Sequence, residues 1–118
     1  MAKSSKIPFP TGSVVATPGA LHAMNKVTDN PEAGFKALIK RHRMGDFGEF
    51  RSYRDLKLTE EELELGPLAT SNDLKLNIWG VEVGERVMSK YILSDGTVLW
   101  CITETNRSVT TFLLPEEY

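Results

Sequence analysis

From residue 87 onward the chain alternates apolar and polar positions with a period of two. Val87, Ser89, Tyr91 and Leu93 fall on one side of an extended segment, with Met88, Lys90 and Ile92 on the other. The β-branched and aromatic content suits a pleated, half-buried surface. Ser94-Asp95-Gly96 then predicts a hairpin turn, because Gly reaches positive φ without a Cβ penalty. Thr97 to Thr103 reads as a second strand. Val98, Trp100 and Ile102 face one way and Leu99, Cys101 and Thr103 the other, so both faces are fairly apolar and the strand is expected at the centre of a sheet. Glu104-Thr105-Asn106-Arg107 predicts a second turn before a third strand over Ser108 to Leu114. The pattern is that of an antiparallel meander.

The period changes to that of a helix in the first half. Thr17 is placed to cap a helix with Pro18 in its first turn, and Leu21, Met24 and Val27 recur at three-residue steps as its apolar stripe. Asn30-Pro31 starts a second helix in the same way. Phe35, Leu38, Ile39 and His42 form its inner face, Lys36, Lys40 and Arg43 its outer face, and Gly45 its stop. A third helix is expected after Ser71, with Leu74, Ile78 and Val81 on one face and Gly84 as its end. Between the last two helices, residues 46–70 show no clear period. Thr59-Glu60-Glu61-Glu62 offers a capping box and Gly66-Pro67 a stop, which suggests a peripheral excursion at 49–70. Residues 1–13, with Pro8 and Pro10, read as a flexible arm, and Val14-Val15-Ala16 as a short strand at the edge of the sheet. The expected fold is α+β: three helices on a three- to four-stranded antiparallel meander, in a single domain over residues 14–118. Leu21, Met24, Phe35, Leu38, Ile39, Ile78, Val87, Tyr91, Trp100, Ile102 and Leu113 are the expected core.

Composition adds limits. A chain of 118 residues suffices for one domain with a real core. Cys101 is the only cysteine, so no intrachain disulfide can form, and a Cys-rich zinc site is excluded. No run is apolar enough for a signal peptide or a membrane span, and a cytoplasmic protein is expected. Net charge is only −2, yet it is segregated. Residues 1–54 hold nine Lys or Arg against four acids, while residues 55–118 hold five against twelve. Such asymmetry fits a two-sided binding surface, head-to-tail self-association, or simply two solvated faces, the last being the commonest case.

Several segments carry a family resemblance. Val14-Val15-Ala16-Thr17-Pro18-Gly19-Ala20-Leu21, Gly45-Asp46-Phe47-Gly48, Asp95-Gly96-Thr97, and the terminal run from Ile102-Thr103-Glu104 through Arg107-Ser108-Val109-Thr110-Thr111 to Leu113-Leu114-Pro115-Glu116-Glu117-Tyr118 are the segments concerned. Together they resemble a group of small proteins carried by plasmids, prophages and integrative elements of bacteria, labelled plasmid-related protein or type I restriction endonuclease subunit M. The resemblance covers most of the chain outside roughly 49–76, a stretch that is longer here. It implies a mobile-element setting and no particular reaction. A stand-alone adenine methyltransferase would need a cofactor-binding α/β sheet and an Asn-Pro-Pro-aromatic motif. Here Asn30-Pro31 is followed by Glu32-Ala33, and the strands predict a meander.

Candidate chemistry is sparse. His42 could serve as base or ligand, but it lies on the apolar stripe of a helix, where a packed, hydrogen-bonded imidazole is the usual outcome. His22 has no His or Glu at metal-ligand spacing, so no metal or other cofactor is expected. Cys101 reads as an inert buried thiol. The Glu104, Asn106 and Arg107 turn is the preferred binding candidate, since a guanidinium forks well onto a carboxylate or phosphate, with Asp46, Glu49 and the terminal Glu116-Glu117-Tyr118 as an acidic counterpart. Lys40, Arg41 and Arg43 would be the contacts if the partner were nucleic acid, a reading that the acidic second half disfavours. The expected function is a non-enzymatic accessory module that binds another protein, with homo-oligomerisation compatible. A nucleic-acid-binding regulator and a RelE-like ribonuclease or toxin are the alternatives. The last rests on fold analogy alone, and those toxins are usually strongly basic whereas this chain has a pI near 5.7.

Overall fold

The computed structural model describes residues 7–52, 60 and 73–118. Its elements are β1 (Ser13–Ala16), α1 (Pro18–Val27), α2 (Pro31–Arg43), α3 (Asp73–Val83), β2 (Val87–Ile92), β3 (Val98–Thr103) and β4 (Val109–Leu113). A 3-10 turn over Pro115–Glu117 follows. The fold is α+β, with helices on a four-stranded sheet of order β1-β4-β3-β2. The β2-β3-β4 meander is antiparallel, pairing Tyr91 with Leu99 and Cys101 with Phe112.

The sheet as a whole is mixed, which corrects the purely antiparallel expectation. β1 pairs with β4 in parallel, Val14 beside Thr110 and Ala16 beside Phe112. The cause lies in the approach of the chain. Ser13 N–H donates to the Ser108 carbonyl at 3.0 Å, so β1 enters beside the β3–β4 turn and runs the same way as β4. Gly12 at this entry has φ +63°, and a Cβ there would run into the Arg107 and Ser108 carbonyls. Only glycine meets both demands.

The helix starts follow the sequence. Thr17 Oγ1 accepts from Ala20 N–H at 3.1 Å and Asn30 Oδ1 from Ala33 N–H at 3.2 Å, each with proline in the first turn. Against one face of the sheet, α1 and α2 pack Ala20, Ala23 and Met24 onto Tyr91, Leu93, Leu99, Cys101 and Phe112, with Phe35, Leu38 and Ile39 at the margin. Of the expected α1 stripe, Met24 is buried and Val27 packs at the margin, whereas Leu21 gives way to Ala20 and Ala23. The small Ala20 and Ala23 let the helix lie close to the sheet, and Leu21 is left 45% exposed. A second cluster gathers Leu74, Ile78 and Val81 of α3 with Val87, Phe9 and Phe47. Gly84 ends α3 at φ +83° as expected, whereas the Ser71 cap and most of the 49–70 excursion lie outside the described residues.

The arm, and the stretch after α2 that showed no clear period, both contribute to the core. Phe9, assigned to a flexible arm, is buried, donates its amide to the Arg43 carbonyl at 3.1 Å, and stands edge-on to His42 at 5.1 Å. Phe47 is fully buried.

Candidate functional site

His42 occupies the inner face of α2 as its spacing required, and it is wholly buried. Nδ1 lies 2.6 Å from Ser89 Oγ and Nε2 lies 2.9 Å from Thr103 Oγ1. Thr103 Oγ1 is 2.6 Å from Thr110 Oγ1, which donates to the Thr11 carbonyl at 2.8 Å. Proton counting orients this chain. Because Thr110 spends its hydroxyl proton on Thr11, Thr103 donates to Thr110 and accepts from His42 Nε2–H. Ser89 then donates to Nδ1. A neutral imidazole satisfies every contact. Burial, assisted by the Arg107 charge, pushes the His42 pKa down to about 3. The imidazole thus ties α2 to β2 and β3, and through Thr110 to β4 and the arm. At 0% exposure it does not reach the surface where a substrate could meet it.

The preferred binding residues do not form one site. Arg107 lies in the β3–β4 turn at φ +58°. Its Nη1 donates to the Glu85 and Glu104 carbonyls at 2.6 and 3.3 Å and its Nη2 to the Gly80 carbonyl at 3.0 Å, with the guanidinium 5.5 Å from the Phe9 ring centre. The fork that invited a carboxylate or phosphate is spent on backbone carbonyls, Gly80 and Glu85 at the end of α3 and Glu104 after β3. Burial lowers the Arg107 pKa from its usual value, against the opposing pull of Glu85. Asn106 accepts from Ser108 N–H at 3.0 Å and from its hydroxyl at 2.6 Å, which shapes the turn. Glu104 pairs with Arg86 at 3.3 Å. Asp46 is elsewhere: its carbonyl accepts from the Tyr91 hydroxyl at 2.6 Å, whereas the turn abuts Val87 at the other end of β2.

Asp46 also pairs with Arg41 at 2.8 Å and accepts from Gly48 N–H at 3.1 Å. The Arg41 hydrogen bond holds the Asp46 carboxyl below its ordinary pKa. Arg41 in turn lies over the Tyr91 ring at 4.7 Å. Of the basic trio, only Lys40 and Arg43 project from α2 without such a tie to an acid among the described residues. Cys101 is fully buried and its thiol pKa is raised by that burial, which suits packing and not attack. No cluster of three or more His, Cys, Asp or Glu that could hold a metal occurs among the described residues, and no described helix is long and apolar enough to cross a membrane.

A pocket of about 260 Å³ lies between α3, β2 and the C-terminus, lined by Phe50, Trp79, Arg86, Met88 and Tyr118 among others. Arg86 donates to the Tyr118 hydroxyl at 2.6 Å, and Tyr118 stands edge-on to Trp100 at 5.3 Å. Its walls are mostly apolar, and its best-placed cation is already engaged by Tyr118 and Glu104.

The clearest asymmetry of the molecule is between its two sheet edges. On β2 the outward backbone groups of Met88 are both taken by the Asn77 carboxamide, and those of Lys90 by Phe47 carbonyl and Glu49 amide at 3.1 and 2.7 Å. This edge is closed at Met88 and Lys90, and only its last residue, the exposed Ile92, lacks such cover among the described residues. On β1 the inner ladder uses Ser13 and Thr17, which donate to Ser108 and Phe112 at 3.0 Å each, so the parallel pairing with β4 falls to Ser13, Val15 and Thr17. The amides and carbonyls of Val14 and Ala16 point outward and have no partner among the described residues. All four β1 residues are exposed, and Val14 and Val15 are among the most exposed large apolar side chains. The sequence signalled this strand and its edge position. It gave no sign of the side chain that closes the opposite edge. In comparisons with protein-family models, curated proteins and solved structures, the chain matches none.

Proposed function

We propose that the chain is a non-enzymatic protein-binding module, of the kind its resemblance to mobile-element accessory proteins suggests, and that it binds by accepting a strand on β1. The observation that carries this reading is the contrast of edges. An open edge is a row of unused donors and acceptors, a template for another extended segment. β1 is short, at four residues, but it contains no Lys, Pro or bulge to blunt it. The engagement of Arg107 with carbonyls moves the expected binding surface from the β3–β4 turn to this edge. The engagement of Arg41 with Asp46 weighs against a nucleic-acid surface on α2.

Val14→Pro is the discriminating variant. It deletes an outward N–H and leaves the inner ladder to β4 intact, because that ladder is made by Ser13, Val15 and Thr17. Tagged protein recovered from cells that carry the gene is expected to bring down a stoichiometric protein, and Val14→Pro to lose it while melting like the parent. Recovery that is unchanged by Val14→Pro rejects the reading.

A further inference from the structure

The geometry of β1 points to a specific occupant: we infer that β1 pairs antiparallel with β1 of a second copy of this chain, about a two-fold axis at Val15. This rests on the strand-addition reading above and names the partner. The outward groups sit at Val14 and Ala16, one residue to either side of Val15. Under the two-fold, Val14 of one copy faces Ala16 of the other and each pair exchanges both of its hydrogen bonds, while the two Val15 residues meet at the axis. No other centre uses both outward residues symmetrically. The two four-stranded sheets then become one continuous sheet. Val14 and Ala16 lie on the face that carries α1, and Val15 on the opposite face, so both exposed valines gain cross-strand neighbours.

Closure selects the direction. Parallel pairing through the same outward groups sets Val14 of one copy beside Val15 of the other, an offset that no two-fold axis relates, whereas the antiparallel arrangement is symmetric about Val15. A four-residue edge buries little surface, so the pair is expected to be reversible and concentration-dependent.

The test is sedimentation equilibrium of the full chain over a range of concentrations, with Val14→Pro, Val14→Lys and Val15→Cys beside the parent. The parent is expected to self-associate. Val14→Pro, which removes one edge hydrogen bond per copy and so two per dimer, is expected to weaken the association by about tenfold or more, and Val14→Lys, which brings two like charges to the seam, to weaken it as well, both keeping the parent's melting curve. Under mild oxidation Val15→Cys is expected to yield a disulfide-linked dimer, because residues facing each other across the axis fall within bridging range. Ile92→Cys on the opposite edge should stay monomeric. A parent that is monomeric at all concentrations, or a dimer indifferent to both Val14 variants, overturns the inference. If the monomer still captures another protein and Val14→Pro abolishes that capture, strand addition stands and only self-pairing falls. If neither occurs, both fall.

Discussion

The Asn77 carboxamide does for Met88 what a neighbouring strand would do. Its Nδ2 donates to the Met88 carbonyl at 2.6 Å and its Oδ1 accepts from the Met88 amide at 2.8 Å. One side chain of α3, only 5% exposed, thus satisfies both outward groups of an edge residue and pins the helix to the sheet.

Replacing Asn77 by Leu is therefore expected to cost about 2–4 kcal/mol, because two hydrogen bonds go and two backbone groups are left without partners. Urea denaturation checks the size of the loss. Asn77→Asp keeps the acceptor and loses the donor, and should fall between the two. A second consequence separates edge closure from simple packing: Asn77→Leu should aggregate on storage more readily than a comparably destabilised core variant such as Ile78→Ala.

The turn that closes the same edge further along depends on Gly48. Its φ is +68°, and a Cβ would run into the Lys90 carbonyl. Gly48→Ala is expected to break the bridge to Lys90 and destabilise the protein by about 1–3 kcal/mol. Hydrogen exchange should show the Lys90 amide, which donates to Phe47, losing protection ahead of the β3 amides.

His42 makes the stability of the fold sensitive to mild acid. The imidazole pKa is about 3 in the folded chain and near its ordinary value, about 6.5, when unfolded. Between these values the unfolded state binds more protons, so stability is complete above about pH 6.5 and declines as the pH falls toward 3. Midpoints of urea unfolding at pH 7, 6 and 5 should fall in that order. His42→Gln is expected to lower stability at pH 7 and to flatten the slope above pH 5. A parent slope retained in full by this variant would assign the effect to other groups.

Much of this was legible in the sequence, and the exceptions share a cause. The meander, the caps Thr17 and Asn30, the inner face of α2 with His42, and the stop at Gly45 follow from period and local turn chemistry. Phe9, Phe47 and Asn77 could not be read in that way. Each acts across a long separation: Phe9 on His42, Phe47 on Lys90, Asn77 on Met88. Leu21 was misjudged because three-residue spacing fits more than one helix face, and the choice was made by the small Ala20 and Ala23 against the sheet. Arg107 was read as a binding fork because its residue type suits one, while the carbonyls at the end of α3 that occupy it come from a different part of the chain. As for site residues, the sequence marked β1 as an edge. Only the closure of β2 shows that β1 is the open one.

Arg107 yields the prediction that best separates architecture from binding. Its side chain holds the Gly80, Glu85 and Glu104 carbonyls while its backbone sits at positive φ. Arg107→Ala keeps the unfavourable backbone and loses the bonds, and should cost about 2–3 kcal/mol. Arg107→Gly relieves the backbone and should recover part of that loss. Arg107→Lys keeps the charge but cannot fork across three carbonyls, so it should resemble Ala more closely than the parent. Loss of the charge also removes one of the two influences that depress the His42 pKa. Arg107→Ala should therefore keep the parent's slope just below pH 6.5 but have its decline end at a higher pH than the parent's, whereas Arg107→Lys should not. If Arg107 were instead a contact for a partner, Arg107→Ala would unfold like the parent and fail only in binding. Denaturation and partner capture on the same preparation read both outcomes at once.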